Sequence, residues 1–175
     1  YDLMSHLSIQ ELTASGSADN LIANDSWGWT DPSTNKEYAL VGLTSHTAFV
    51  DISNPVVPIL VGVLPSATVS SLWRDIKVYQ NHAFIVSEAP GHGMQVFDLT
   101  RLRAVSTPPE TFTADTHFTD FGRAHNIVIN ETSGYAYIVG TPKKGSYAGG
   151  TLFINIQNPT TPVFEGWFGA ENYSH

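Results

Sequence analysis

The sequence contains no cysteine, and this absence excludes disulfides, thiolate catalysis and cysteine metal sites. Charged residues are also scarce, at 14%, and the formal charge of −8 argues against a nucleic-acid backbone as a partner. No apolar run approaches the roughly 20 residues of a transmembrane helix, so no membrane span is expected in this segment. With 42% hydrophobic residues, the 175 residues predict one folded domain with a sizeable core.

Three short apolar sequence motifs recur along the chain, and each is followed by Asp or Asn and then by a turn. Their spacing is 47 residues from Asp51 to Asp98 and 57 residues from Asp98 to Asn155. A repeat of this length made only of strands predicts an all-β fold of β-propeller blades. The three motifs lie at Thr47–Pro55, Met94–Thr100 and Thr151–Pro159.

Each motif belongs to a longer repeat, and the pattern of that repeat predicts four antiparallel strands, as a propeller blade requires. The first strands are predicted at Asp25–Trp29, Asp75–Tyr79 and Asn126–Asn130. The second strands are predicted at Glu37–Gly42, His82–Glu88 and Gly134–Gly140. The fourth, outer strands are predicted at Ile59–Pro65, Glu110–Thr113 and Val163–Phe168.

These units predict one partial propeller with an incomplete ring of about three blades. Blade 1 is expected at 21–68, blade 2 at 69–118, blade 3 at 119–170 and the start of a fourth blade at 171–175. Residues 1–20 are expected to hold a closing outer strand, at Leu3–Ser8, and a loop. Only Ser8–Ala14 is a helix candidate, of about one turn.

The loops that enter the first strands carry the main candidates for a binding site, because ligands of propellers usually lie at the central channel. Aspartate and histidine converging there could bind a divalent ion such as calcium, a site we predict from Asp25, Asp75, His125 and His175. Arg74 and Asn126 are further channel candidates. The alternative is that these side chains satisfy backbone groups and bridge neighbouring blades, with Arg74 and Asp75 as an ion pair between blades.

Other candidates lie in loops and on strand faces. Glu88 and His92 belong to a glycine-rich loop that could approach a ligand closely, or is simply a long hairpin loop. Trp27 and Trp29 share one strand face and either stack on a sugar or fill the gap between blades. The sequons at Asn24, Asn130 and Asn172 are candidate glycosylation sites in a secreting eukaryote.

Several long segments of this chain resemble the choice-of-anchor B family, whose blades are LVIVD-type repeats. The resemblance covers nearly the whole chain and implies a secreted or surface-displayed propeller with a variable C-terminal anchor and no established reaction. Members often carry a cysteine pair around the third blade, and this sequence has none there. The segments that carry the resemblance are Trp27–Pro32, Glu37–Leu43, Thr47–Ile52, Leu72–Tyr79, Asn81–Glu88, Gly91–Leu99 and Ala124–Glu131.

Together these observations favour a secreted or cell-surface propeller that works by binding or assembly rather than catalysis. Blades with free apolar flanks need another polypeptide to complete the propeller, either its remaining half or a second chain, in an extracellular assembly. The alternative is a propeller enzyme, a metal-assisted hydrolase or lyase with its site at the central channel. That alternative fails if the four residues of the predicted site point into the blade interfaces, namely Asp25, Asp75, His125 and His175.

Overall fold

The computed structural model describes residues 2–15, 21–142, 144, 146–169 and 174. In the described part, strands dominate, and the two helices are short 3₁₀ helices at Gln10–Leu12 and Leu99–Ala104. No helix in these described ranges has the length and apolarity needed to cross a membrane. The strands are β1 (Ala23–Thr30), β2 (Glu37–Leu43), β3 (His46–Asp51), β4 (Ile59–Pro65), β5 (Arg74–Tyr79), β6 (His82–Ser87), β7 (Met94–Asp98), β8 (Glu110–Thr111), β9 (Thr116–Phe118), β10 (Asn126–Asn130), β11 (Tyr135–Val139), β12 (Thr151–Asn155) and β13 (Val163–Phe168).

The strands form three sheets, and each sheet contains a four-stranded antiparallel meander. Blade 1 is β1-β2-β3-β4, blade 2 is β5-β6-β7-β9, and blade 3 is β10-β11-β12-β13. The first strands lie side by side, because β5 contacts both β1 and β10. The predicted all-β fold of propeller-like blades is therefore confirmed, and the sheets do not close into a ring.

Two apolar cores hold the blades together face to face. The first joins blade 1 to blade 2, with Phe49 stacked on Phe97 at a ring distance of 4.7 Å. The second joins blade 2 to blade 3 through residues such as Phe84 and Ile138, both fully buried. Both faces of blade 2 are therefore buried, which explains the near-continuous apolar runs of its central strands.

The prediction for the outer strand of blade 2 is wrong. Glu110–Thr111 pairs in parallel with Gly62 and Val63 of β4, and thus adds a fifth strand to blade 1. The fourth strand of blade 2 is β9, which pairs with β7. The cause is Phe112, which is buried against the stacked rings of Phe49 and Phe97. Its anchoring in the first core outweighs the weak strand pattern.

Glycine at position 62 makes this exchange possible. A Cβ atom at Gly62 would lie 2.5 Å from the Glu110 carbonyl oxygen and 2.5 Å from the Phe112 ring. No side chain other than hydrogen fits at that distance. The segment from blade 2 therefore ties the two blades together at their outer edge.

The expected outer strand at Leu3–Ser8 does not form, because the described residues 2–15 contain no strand. The expected single helical turn is present at Gln10–Leu12. Leu7, Ile9 and Leu12 pack against the face of blade 1 that points away from blade 2. The imidazole of His46 donates from Nε2 to the Leu12 carbonyl oxygen at 2.9 Å and fixes this segment. The N-terminal segment therefore covers the outer face of blade 1, the face that points away from blade 2.

Candidate functional site

Seven of the predicted channel residues are described, and the structure brings them together in three separate contacts. All three lie near the ends of the blades where the first strands begin. His175 and the sequon residue Asn172 lie outside the described residues. The three groups are Asp25 with Asp75 and Asn126, Arg74 with His92, and Glu88 with His125.

Asp25, Asp75 and Asn126 occupy the same position in successive blades, as the strand register shows. Asp25 accepts a hydrogen bond at Oδ2 from the backbone N–H of Ile76, at 2.9 Å. Asp75 accepts at Oδ2 from the backbone N–H of Ile127, at 2.8 Å. Each carboxylate therefore holds the first strand of the following blade, which is the bridging role considered for these residues. We call this repeated contact the carboxylate clasp.

The two carboxylates also lie close to each other. The N–H of Ile76 donates to Asp75 Oδ1 at 3.0 Å as well as to Asp25. Burial raises the pKa of Asp25, and the neighbouring Asp75 raises it further, while the hydrogen bond from Ile76 opposes the rise. The Lys77 ammonium lies 2.5 Å from Asp75 Oδ1 and supplies the nearest positive charge.

The expected ion pair between Arg74 and Asp75 is wrong, because Asp75 pairs with Lys77 instead. Arg74 points to the other side of its strand and is only 1% exposed. Its Nε donates to the Leu43 carbonyl oxygen at 3.1 Å, and its Nη1 donates to His92 Nε2 at 3.0 Å. Its Nη2 has no partner among the described residues. Burial lowers the pKa of Arg74 to about 10.

The geometry around His92 fixes its tautomer. Nδ1 donates to the Gly93 carbonyl oxygen at 3.1 Å, so the proton is on Nδ1 and Nε2 accepts from Arg74. Burial and the nearby guanidinium of Arg74 lower the pKa of His92 to about 4. Gly93 does adopt a positive φ of 58°, but its close neighbour is the Phe118 carbonyl oxygen of β9. The glycine-rich loop thus packs inside its own blade.

Glu88 and His125 form the most exposed of the three contacts. Glu88 Oε1 lies 2.5 Å from His125 Nδ1, and the two side chains come from blades 2 and 3. The ring of Trp73 lies 5.8 Å from the imidazole, measured between centroids. Sequence reasoning selected both residues separately but gave no signal that they meet. The pair joins adjacent blades at the rim of the structure.

The described residues contain no group of three or more His, Asp or Glu side chains placed to hold a metal ion. Asp25 and Asp75 are occupied by N–H groups, whereas a hard cation needs free oxygen atoms. His125 contacts Glu88 rather than either aspartate. The described residues thus do not assemble the calcium site by themselves, and the site, which includes His175, stays a prediction.

Lys77 contacts this site, and sequence analysis did not select it. It lies two positions after Asp75, and the period of two along a strand places both on one face. Its ammonium also lies 4.5 Å from the centre of the Trp27 ring. The spacing of these residues was a signal that could have identified the contact.

Comparison with known proteins agrees with this architecture. The family model of the LVIVD repeat matches residues 36–64, which span β2 to β4 of blade 1. The chain therefore carries an LVIVD repeat within propeller-like blades. No curated protein matches the chain.

Proposed function

We propose that this chain is part of a secreted or cell-surface β-propeller that acts as a binding and structural module. Its free flank on blade 3 receives a further blade of the same repeat. The observation that carries this proposal is the difference between blade 3 and the two blades before it. The outward-facing side of blade 3 has the residues of a blade interface, and no blade from the described part of the chain packs against it.

Matched positions in the three blades show this difference. Leu40 and Phe49 pair in blade 1, Phe84 and Val96 in blade 2, and all four are fully buried by the next blade. The equivalent pair in blade 3 is Tyr137 and Phe153, whose rings contact each other edge to face at 5.9 Å. Both are only half-buried, and Val128 beside them is 56% exposed. An apolar sheet face of this kind favours a partner.

Asn126 supports the same occupant through the carboxylate clasp. It has the position that Asp25 and Asp75 have in their blades. Its Nδ2 donates to Asp75 Oδ2 at 3.2 Å, and its Oδ1 makes no hydrogen bond to a described residue. An amide oxygen accepts a backbone N–H as a carboxylate does. The partner that fits is thus a further blade whose first strand has a backbone N–H free to donate to Asn126 Oδ1, as Ile76 and Ile127 donate to Asp25 and Asp75.

The backbone of Ser174 already runs along this flank. Gly140 N–H donates to the Ser174 carbonyl oxygen at 2.8 Å, and Ser174 N–H donates to the Gly149 carbonyl oxygen at 2.9 Å. Between blades 2 and 3 the lead-in residue is itself the donor to the preceding blade, because Ala124 N–H donates to the Ser87 carbonyl oxygen. The chain thus approaches blade 3 as a lead-in segment approaches a blade.

A second copy of this chain is a less suitable occupant than a further blade. The flank of blade 1 that such a copy would offer is covered by Leu7, Ile9 and Leu12. Blades 2 and 3 instead pack against the blade before them through small and branched residues that no N-terminal segment covers, such as Ala83 and Ala136. A further blade with this row matches the free face.

The free flank predicts binding of the dye ANS, which reports exposed apolar surface. We expect the 175-residue chain to bind ANS and to associate with rising concentration in sedimentation velocity. The double variant Tyr137→Ser, Phe153→Ser should lose most of both signals while circular dichroism keeps the β spectrum. The matched control is Val56→Ser, Ile59→Ser, because these residues of blade 1 are similarly exposed but lie away from the flank. A monodisperse 19 kDa monomer without ANS binding would contradict the proposal.

A tandem chain tests the nature of the occupant. Residues 21–175 are repeated after residue 175, so that a second blade 1 without its N-terminal cover meets blade 3. The product has roughly six blades, within the usual range of propellers. We expect it to bind less ANS per blade and to stay monomeric. If it binds as much ANS per blade as the single chain, a blade is the wrong occupant, and a symmetric dimer of the single chain would identify a second copy instead.

The enzyme alternative has less support from the geometry. A metal-assisted hydrolase or lyase would need Asp25, Asp75 and His125 to point at one place in the channel. Asp25 and Asp75 instead hold backbone N–H groups across blade boundaries. This is the arrangement in which that alternative was expected to fail.

The sequons give a test of the proposed extracellular location. Asn130 is exposed at the end of β10, and its Oδ1 accepts from the backbone N–H groups of Thr132 and Ser133 at 3.1 and 3.2 Å, which leaves Nδ2 to carry a glycan. Asn24 is different, because its Nδ2 donates to the Arg74 carbonyl oxygen at 2.7 Å between blades. In a secreting eukaryotic host we expect the folded protein to be glycosylated at Asn130 and not at Asn24.

Mass spectrometry after enzymatic deglycosylation measures this difference site by site. Asn130→Gln should remove the mass shift from the peptide with residue 130, and Asn24→Gln should not change it. A glycan on Asn24 of the folded, secreted protein would contradict the expectation, because it would replace the contact with Arg74.

A further inference from the structure

A second feature, separate from the free flank, is an open groove where the first strands of blades 1 and 2 end. It has a volume of about 340 Å³ and is bordered on one side by a turn of blade 3. Three blades therefore contribute to its walls. The residues that matter for its chemistry are Trp27, Trp29, Tyr79, Gln80, Asn81 and Glu131.

The groove has a rigid aromatic wall. Trp27 is 41% exposed, although it lies in the middle of β1 rather than in a mobile loop. Next along the same face, Trp29 is buried and stacked on Tyr38 at 5.2 Å, and its Nε1 donates to Asn81 Oδ1 at 3.1 Å. Gly28 between them belongs to the opposite face of the strand, so it does not separate the two indoles. An exposed indole held in this way is a ready stacking surface.

The opposite wall is polar and contains both donors and acceptors. Gln80 Nε2 donates to Tyr79 Oη at 2.8 Å, which leaves the Tyr79 O–H as a donor and Gln80 Oε1 as an acceptor. Asn81 uses Oδ1 for Trp29 and keeps Nδ2 as a donor. Glu131 is exposed and makes no ion pair with a described residue. Phenol and amide groups and one carboxylate thus line the same groove as the Trp27 indole.

The backbone of this wall is held in an uncommon conformation. Gln80 and Asn81 have φ values of 45° and 61°, both in the left-handed region. Neither is glycine, so the hairpin turn carries strain of about 1 kcal/mol or more at each residue. The bond from Trp29 to Asn81 holds the turn at the groove. A two-residue hairpin loop requires positive φ at both residues, so the hairpin between β5 and β6 accounts for this conformation.

Charge and polarity together restrict the ligand class. The carboxylate of Glu131 and the net charge of −8 disfavour an anion. Lys77 lies 4.5 Å from the Trp27 ring centre and disfavours a cation there. A wholly apolar ligand would leave the amides and the carboxylate without partners. A pyranose has a C–H face for the indole and hydroxyls for the polar wall.

We propose that this groove binds a neutral saccharide, with its ring stacked on Trp27 and its hydroxyls bound by Tyr79, Gln80, Asn81 and Glu131. The site is independent of the flank on blade 3, so that failure of one proposal leaves the other intact. Because the groove is shallow, we expect a dissociation constant of about 1 mM for a monosaccharide. Longer glycans that follow the groove should bind more tightly.

The test is saturation-transfer difference NMR on the 175-residue chain with methyl glycosides of glucose, galactose, mannose and N-acetylglucosamine. We expect transfer to the ring protons of at least one of them. Trp27→Ala should weaken this binding by about tenfold, because the stacking surface is lost. Trp27 is exposed, so this variant should keep its circular dichroism spectrum and midpoint of unfolding.

Trp167→Ala is the matched control, since Trp167 is 46% exposed and lies in the outer strand of blade 3. It should bind the same glycoside as tightly as the unchanged protein. The proposal is overturned if none of the four glycosides shows transfer. It is also overturned if Trp27→Ala binds as well as the unchanged chain, or if Trp167→Ala is the variant that loses binding.

Discussion

Asp75→Ala should lower the free energy of unfolding by about 3–5 kcal/mol, the range for breaking a buried charge pair. Asp75 accepts from the backbone N–H groups of Ile76 and Ile127, from Lys77, and from Asn126 Nδ2. The variant would leave the Ile127 N–H without an acceptor at a boundary between blades, and it would leave the buried end of Lys77 with the Ile76 carbonyl oxygen alone. Such unsatisfied groups account for most of the expected loss.

The matched variant is Asp25→Asn, for which we expect a change within about 1 kcal/mol. The amide oxygen keeps the bond to Ile76 N–H, and blade 3 already has an asparagine at this position, Asn126. The pKa of Asp25 is raised by burial and by Asp75, so its ionised form is disfavoured in the folded state and its neutral replacement loses little.

Urea denaturation at neutral pH measures both variants, with circular dichroism as the signal. The carboxylate clasp would be refuted if Asp75→Ala stayed within about 1 kcal/mol of the unchanged protein. It would also be refuted if Asp25→Asn were as damaging as Asp75→Ala, because the charge and not the hydrogen bond would then be what matters.

The repeated position of Asp25 and Asp75 could be predicted from the sequence, but the atoms that they bind could not. Alignment of the repeats places equivalent residues in equivalent strands, and this follows from local pattern alone. The partner of each carboxylate lies about 50 residues away, at Ile76 and Ile127. Contacts between blades depend on how the sheets face each other, which a period-two pattern does not contain.

Two wrong predictions have a shared physical cause. The repeat pattern predicts Leu3–Ser8 as an outer strand from its likeness to Leu60–Pro65, and Glu110–Thr113 from its place in the second repeat. In the structure, Leu7 and Phe112 are used as anchors in the apolar surfaces of blade 1 instead. Burial of a large side chain outweighs the strand tendency of a few residues. The outermost strand of a blade is thus the part that local pattern predicts least well.

The second large effect concerns acid stability through His92. In the folded protein the pKa of His92 is about 4, because burial and Arg74 disfavour a second positive charge. The unfolded chain has the ordinary histidine pKa of about 6.5. Between these values the unfolded state binds a proton that the folded state does not, so stability falls as the pH is lowered from about 6.5 to about 4. The full loss is about 3 kcal/mol.

His92→Gln should remove this part of the pH dependence. The glutamine oxygen can accept from Arg74 Nη1 as Nε2 of the imidazole does, and it has no proton to gain. Unfolding free energies measured in urea at pH values from about 7 to about 4 give the slope directly. The unchanged protein should lose stability more steeply than the variant across this range.

His82→Gln is the control for the loss of a histidine, since His82 lies at the start of β6 and bonds the Gln80 carbonyl oxygen rather than Arg74. If His92→Gln kept the full slope, the burial of His92 beside Arg74 would not be its cause. His46 is the other buried histidine whose pKa is lowered by burial, and it would then be the next residue to change. A slope that disappears only in His92→Gln would show that the contact between Arg74 and His92 requires a neutral imidazole. That contact lies at the boundary of blades 1 and 2, because Arg74 also binds Leu43, so acid should loosen this boundary first.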